Sequence, residues 1–312
     1  MKELYSIADI SKQALWKHRG RQVQLIELTE DIVNIMKDLR HRHKRMGCRS
    51  MYYTCDRPVP VGRDIFEKIG FANGFKLRHK PNKLKTTWSQ RVTIYPNLIE
   101  GMILSGVNQV WQSDIFYIRI EEEDYYGVSI EDVYSRRLLA LHLAKDLKAS
   151  QVERALRKAL QVRKGHDLSG CIFHSDRGSQ YISNLVTKLL KDHHMQISMC
   201  KLPQENSYVE RIQGTVKHQY LLEVDLTEKN LESEVRKTLR YYNMERPHSS
   251  LGNISPAKFE QMVENILEME RPIMQIYKWS DEFSTNFEVS NKKEKSSKKE
   301  KNQQKQQISF LE

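Results

Sequence analysis

Three carboxylates stand out by position. Asp114 lies inside an apolar, strand-forming run, in Trp111-Gln-Ser-Asp114. Asp176 closes a second such run, in His174-Ser-Asp176-Arg-Gly178, and Glu210 falls in the first turn of a helical pattern, in Glu205-Asn-Ser-Tyr-Val-Glu210-Arg. Two acids on strands and one on a helix can converge at one edge of a sheet, and an oxygen-only cluster of that kind suits hard divalent cations. Two ions ~4 Å apart would activate an attacking oxygen and steady the leaving oxygen of a phosphodiester. Each acid taken alone also has a plainer reading. An acid at the end of a strand often caps the following helix, and Ser207-x-x-Glu210 matches a capping box.

Several neighbours extend the pattern. Lys217 follows Glu210 by two helical turns and so shares its face, where it would grip a phosphate or simply be solvated. His174 shares a strand face with Asp176 by alternation, which makes it a candidate partner to that acid. Arg246 and His248 flank Pro247, whose backbone ends the preceding helix. His41, His43, Cys48 and Cys55 have the order of a zinc site, but the spacing within each pair is wrong for one.

The elements that must position these residues can be read from periodicity. Val110–Ile120, Tyr125–Val133 and Arg137–Ala144 are strand-like runs joined by short turns. A helix (Ala149–Val162), a buried-looking strand (Gly170–Ser175), a helix (Ser179–His193) and a short strand (Met195–Cys200) follow, then helices from about Tyr208 and Leu231. This order predicts a mixed α/β sheet covered by helices.

Upstream, Leu25, Leu28, Ile32, Ile35 and Leu39 form one apolar helical stripe over Arg21–His43. Shorter helices follow at Met46–Thr54 and Gly62–Ala72, the second stopped by Asn73-Gly74. Three short helices with a basic surface resemble a helix-turn-helix unit, in which Arg63 and Lys68 of the third would face a DNA groove.

The formal charge of +11 is unevenly spread. Residues 1–100 hold 20 Lys and Arg against 10 Asp and Glu, whereas residues 101–290 hold 24 against 27. Residues 76–91 read as a basic linker, and the last 22 residues, rich in Lys, Glu, Gln and Ser, as a disordered tail. A basic end domain suits a polyanion, and an acidic centre suits metal ions. Four scattered cysteines without a C-x-x-C pair argue for a reducing compartment. No secretory signal or membrane-length apolar run is read.

Taken together, Trp111–Tyr117, Ser135-Arg-Arg137, His174-Ser-Asp-Arg-Gly-Ser-Gln-Tyr181 with Ser183, Ser198-Met199, Asn206, Glu210, Lys217 and Asn243-x-x-Arg-Pro-His248-x-x-Leu-Gly252 through Ser255-Pro256 resemble the bacterial insertion-sequence transposases related to retroviral integrases. The resemblance implies a ribonuclease H-like mixed-sheet core and an Asp-Asp-Glu site of Asp114, Asp176 and Glu210 using two Mg²⁺ or Mn²⁺ ions. It also implies possession of a DNA-joining activity in which water first cuts a strand at the element's end and the freed 3′-hydroxyl then attacks target DNA. Arg246 and His248 are carried over as DNA contacts.

The expected organisation is a helical DNA-binding domain (1–85), a basic linker (86–106), an integrase-like catalytic core (107–262), a C-terminal extension (263–290) and the tail (291–312). The expected partners are double-stranded DNA, further copies of the chain on that DNA, and a separate upstream protein of the kind common in the family. The expected setting is the bacterial cytoplasm at the nucleoid. The spacing of 33 residues between Asp176 and Glu210 is slightly short of the family's usual one, and Glu205 stands where an Asp is usual. A nuclease without a joining step, or a decayed DNA-binding regulator, are the rival readings.

Overall fold

The computed structural model describes residues 11–55, 58–77, 95–200 and 203–276. The tail, residues 78–94 of the linker region and residues 277–290 of the expected C-terminal extension lie outside these residues.

The N-terminal unit is all-helical. Helix α1 (Lys12–Arg42) begins where the Ser11 hydroxyl accepts the Ala14 N–H at 3.0 Å, well before the apolar stripe that starts near Arg21. Helices α2 (Cys48–Thr54) and α3 (Arg63–Ala72) fold against its second half. Ile32, Met36, Leu39, Met46, Cys48, Met51 and Phe66 form their common core. Gly70 lets α3 approach closely: a Cβ there would stand 2.8 Å from Cys48 Sγ and from Met36 Cε.

The second unit is built on a five-stranded sheet. Strands β2 (Val110–Ile120), β3 (Glu123–Asp132) and β4 (Leu138–Ala144) run as an antiparallel meander. β5 (Ile172–Ser175) then pairs parallel with β2, and β6 (Gln196–Met199) parallel with β5, giving the order β4-β3-β2-β5-β6. Parallel neighbours need crossovers, supplied here by α4 (Ala149–Val162) and α5 (Asn184–Asp192). The second crossover helix is shorter than Ser179–His193. Its N-cap is Ser183, whose hydroxyl accepts the Val186 N–H at 3.4 Å, and the residues before it form turns.

Alternation sorts the side chains of each strand between two cores. Trp111, Val128, Ile130 and Phe173 pack under Val152, Leu156, Val186 and Leu190 of α4 and α5. Phe116, Ile118 and Tyr125 pack on the opposite face, under α6 (Ser207–Gln219) and α7 (Leu231–Arg240). Gln112 and Asp114 alternate in step with Phe116 and therefore point to the α6 face.

The folded core reaches beyond 107–262. β1 (Ile103–Leu104) pairs with β7 (Met274–Gln275), and Ile99, Leu104 and Ile276 share a cluster with Val110, Tyr134 and Phe259. Helix α8 (Pro256–Glu264), capped by Ser255, closes this end. Its Glu260 ion-pairs with Arg163 and Arg137, and Arg163 also lies 3.6 Å from Asp132.

Candidate active site

Parallel pairing sets Ser113 of β2 level with Ser175 of β5. The next residue on each chain is Asp114 and Asp176, so two acids 62 positions apart in sequence arrive side by side at the sheet edge. Glu210 comes to them from above, in the first turn of α6. That helix is N-capped by Asn206, with Ser207 already inside it, and the side chain of Asn206 makes no capping hydrogen bond. The capping-box reading of Ser207 and Glu210 is thereby corrected.

Asp114 feels the charge of the other two acids. Burial, the charge of Asp176 and the charge of Glu210 push the Asp114 carboxyl up to about 7, against opposing hydrogen bonds from the Ile115 N–H and the Gln213 side chain. Burial also raises Asp176, while the Gly178 N–H, donating to its Oδ1 at 3.0 Å, acts the other way. Buried like charges without a cation between them are costly, and a divalent ion would remove that cost. An all-oxygen donor set of carboxylates fits Mg²⁺ or Mn²⁺ in its chemistry. Among the described residues, no three acidic, histidine or cysteine side chains close around a common point at metal-binding range, so the carboxylates would have to draw together to share an ion.

The remaining sequence candidates are placed as follows. Lys217 lies along α6 and donates to the Tyr117 carbonyl, its ammonium 5.9 Å from the Tyr117 ring centroid, three residues beyond Asp114 on β2. His174 is fully buried and pairs through Nδ1 with Ser198 Oγ at 2.9 Å; burial lowers its pKa to about 4, so the ring is neutral. Its hydrogen-bond partner is thus on β6, and Asp176 instead takes a backbone N–H.

Arg246 hydrogen-bonds the Tyr220 side chain, and the His248 ring packs edge-on against Tyr242 at 5.0 Å. Burial and the nearby charges of Arg246 and Arg136 lower His248 to about 3. Both residues are turned toward the α6–α7 core. Arg63 pairs with Asp64 at 2.8 Å at the start of α3, and Lys68 is exposed on the same helix. His43 pairs with Tyr220 and Glu245, while Cys48 contacts the Phe75 carbonyl, so these former zinc candidates have separate surroundings. Gln213, which touches Asp114, was missed by the sequence reading; its place one turn after Glu210 was the available signal.

An integrase core domain model matches residues 105–202, and a second integrase core domain model matches residues 193–256. The 31 kDa protein of insertion element IS600 from Shigella sonnei is 30% identical over 209 residues, 65% of this chain and 76% of that relative. This chain belongs to the insertion-sequence transposases of the retroviral integrase superfamily.

The transposase is also 29% identical to the transposase for insertion sequence element IS904 of Lactococcus lactis, across 61% of this chain and 75% of that one. Among solved structures, the HTLV-2 integrase catalytic core domain, in complex with magnesium, aligns with 50% of the transposase and 97% of its own chain at 18% identity and a TM-score of 0.41. Membership gives the transposase a ribonuclease H-like core and the activity of a polynucleotidyl transferase that moves a DNA element. No helix among its described residues is long and apolar enough to cross a membrane.

Proposed function

We propose that Asp114, Asp176 and Glu210 are the catalytic acids of this transposase and hold two Mg²⁺ or Mn²⁺ ions. The observation that carries the reading is the Asp114 carboxyl, pushed up to about 7 by burial and by the charges of the other two acids. Bound ions would supply Lewis acidity to the scissile phosphate and lower the pKa of an attacking water or 3′-hydroxyl. The carboxylates would fix where the ions sit, each half-exposed beside the buried Gln112 and Ser113. Lys217, on the same helix as Glu210, is placed to meet a backbone phosphate once DNA displaces its contact with Tyr117.

Arg63 and Lys68 on α3 would read or grip duplex DNA within the basic N-terminal third. Arg246 and His248, turned inward, would shape the α6–α7 surface that DNA crosses rather than touch it first. The substrates are the element's ends and a target duplex. The working form is an oligomer of this chain on DNA, with a separate upstream protein as a further partner, in the cytoplasm at the nucleoid.

The test uses duplexes carrying the element's end. Asp114→Asn, Asp176→Asn and Glu210→Gln should each lose cutting and joining while retaining nonspecific DNA binding. Activity should appear with Mg²⁺ or Mn²⁺, and Ca²⁺ should support binding with little chemistry because it tolerates looser geometry. A Glu210→Gln protein that joins DNA at the wild-type rate would remove Glu210 from the site. Cut products without joined ones from the wild-type protein would favour a nuclease.

A further inference from the structure

Glu210 and Asp114 must keep a fixed separation if they share an ion, yet their elements have no backbone ladder between them. β2 is held by pairing on both sides. α6 instead follows the short helical turn Pro203–Asn206, which meets β2 through Gln112. Gln213 of α6 touches Asp114 itself, and at the start of the helix the two elements are joined by a pair of buried side-chain amides.

Gln112 lies two residues before Asp114, on the same face of β2. Its Nε2 donates to the Glu205 carbonyl at 3.1 Å, and its Oε1 accepts the Val209 N–H at 3.3 Å. One side chain therefore spans both sides of the α6 N-terminus and takes up the backbone group of the residue directly before Glu210. Asn206 reaches the other way: its Nδ2 donates to the Ser113 carbonyl at 3.2 Å, next to Asp114. Gln112 is 0% exposed and Asn206 2% exposed, so water does not compete for either amide. A terminal helical N–H such as that of Val209 has no partner within its own helix, and here the strand supplies one.

We propose that Gln112 and Asn206 are positioning residues, a crossed pair of amides that fixes the helix carrying Glu210 to the strand carrying Asp114 and so sets the carboxylate separation for metal binding. The inference rests on the reading of Asp114 and Glu210 as metal-binding acids. An apolar side chain at either position could fill the space but could not replace the hydrogen bond, because the Val209 N–H would lose its Gln112 acceptor or the Ser113 carbonyl its Asn206 donor. Polar groups that support metal ligands at one remove commonly change metal affinity or activity by about 10–100-fold when replaced.

The experiment uses the full-length protein without DNA and Mn²⁺ alone as the probe. Gln112→Leu and Asn206→Ala are compared with wild type and with Glu210→Gln by Mn²⁺ titration followed by electron paramagnetic resonance. Amide hydrogen exchange at Tyr208 and Val209 and thermal melting are recorded on the same samples. The expected result is a Mn²⁺ affinity lower by about 10–100-fold in both amide variants, with exchange faster at Tyr208 and Val209 but not within β3 or α4. Strand transfer by the variants should recover partly as Mn²⁺ is raised, which a merely weakened fold would not show.

If Gln112→Leu does not fold, Asn206→Ala decides. Unchanged Mn²⁺ affinity and unchanged exchange at Val209 in a folded amide variant would overturn the proposal, whatever the melting temperature does. Equal Mn²⁺ binding by wild type and Glu210→Gln would instead remove the reading of the acids; exchange at Val209 would still decide whether the amides hold the helix.

Discussion

His43 Nδ1 stands 2.9 Å from the Tyr220 hydroxyl, so the all-helical N-terminal unit touches the far end of the helix that begins beside Glu210. His43 Nε2 also lies 3.2 Å from Glu245, with the ring beside Tyr241 at 5.5 Å. Arg42 adds an ion pair to the same Glu245. A buried donor–acceptor set of this kind costs more when half of it is removed than it contributes when intact. His43→Ala should therefore lower stability by about 1–3 kcal/mol. A double-mutant cycle with Tyr220→Phe, followed by urea unfolding, should give a coupling of about 1 kcal/mol. Additive effects of the two changes would show that the contact couples nothing.

Acid should expose the buried histidines. His174 is lowered to about 4 and His248 to about 3, against an ordinary value of 6.5. The unfolded chain thus binds these protons more readily than the folded one, and their contribution to stability falls as pH drops from about 6.5 toward 4. Asp114 and Glu131, raised to about 7 and about 8, act in the opposite sense: their contribution is present at low pH and lost as pH rises through those values. The clean measurement is therefore a difference. His174→Gln should be less acid-sensitive than wild type between pH 6.5 and 4, read as the change in urea midpoint with pH. Parallel curves would show that His174 takes up its proton as freely folded as unfolded.

Arg163 is the cation of a buried ionic group. It is 4% exposed, pairs with Glu260 and lies near Asp132, which is 0% exposed. Ser135 joins the same group through Asp132 at 3.1 Å and Glu260 at 2.7 Å. Arg163→Met would leave two acids without their shared cation, a change that costs about 3–5 kcal/mol in buried pairs. The test is denaturant unfolding, and a loss below 1 kcal/mol would mean that Arg137 alone compensates Glu260. The group also explains why Ser135 and its neighbours carry a family-like pattern: they tie the β3–β4 turn to α8.

Much of this was legible in the residues because local pattern and tertiary demand agreed. β2 and α4 run over the spans that strand and helix periodicity mark, Val110–Ile120 and Ala149–Val162. The positions of Asp114 within its run and of Asp176 at the end of its own were readable too. Their adjacency was not, because parallel pairing of β2 with β5 depends on a crossover rather than on any local signal. The β1–β7 pair was missed for the same reason: two residues of strand carry no periodicity. Arg246 and His248 look like surface groups when read as charged and polar types. Pro247 and the aromatic pair Tyr241-Tyr242 instead turn that segment into the α6–α7 core. Asn206, and Gln112 within Trp111–Tyr117, stand in the pattern that carries the resemblance, but what a buried amide does is readable only when its distant partners are known.

Gly178 provides the most local test of Asp176. Its N–H donates to Asp176 Oδ1 at 3.0 Å, and a Cβ on it would stand 3.0 Å from that same oxygen and 3.0 Å from Gln180 Oε1. Gln180 can move, because its side chain is only loosely held by the Leu147 carbonyl at 3.2 Å on an exposed surface. Asp176 can move only by leaving the N–H that orients it. The third neighbour, Cδ2 of the buried Tyr181, would stand 3.4 Å from the Cβ, an ordinary contact distance, so Gly178→Ala should scarcely change the melting temperature. Activity should fall by about 10–100-fold, the usual scale for disturbing a group that orients a ligand. The loss should be smaller with Mn²⁺ than with Mg²⁺, since Mg²⁺ demands near-ideal octahedral geometry. Strand-transfer rates in the two metals, measured beside a melting curve, distinguish the outcomes. A wild-type rate in Mg²⁺ would mean that the Gly178 N–H does not orient Asp176 for chemistry.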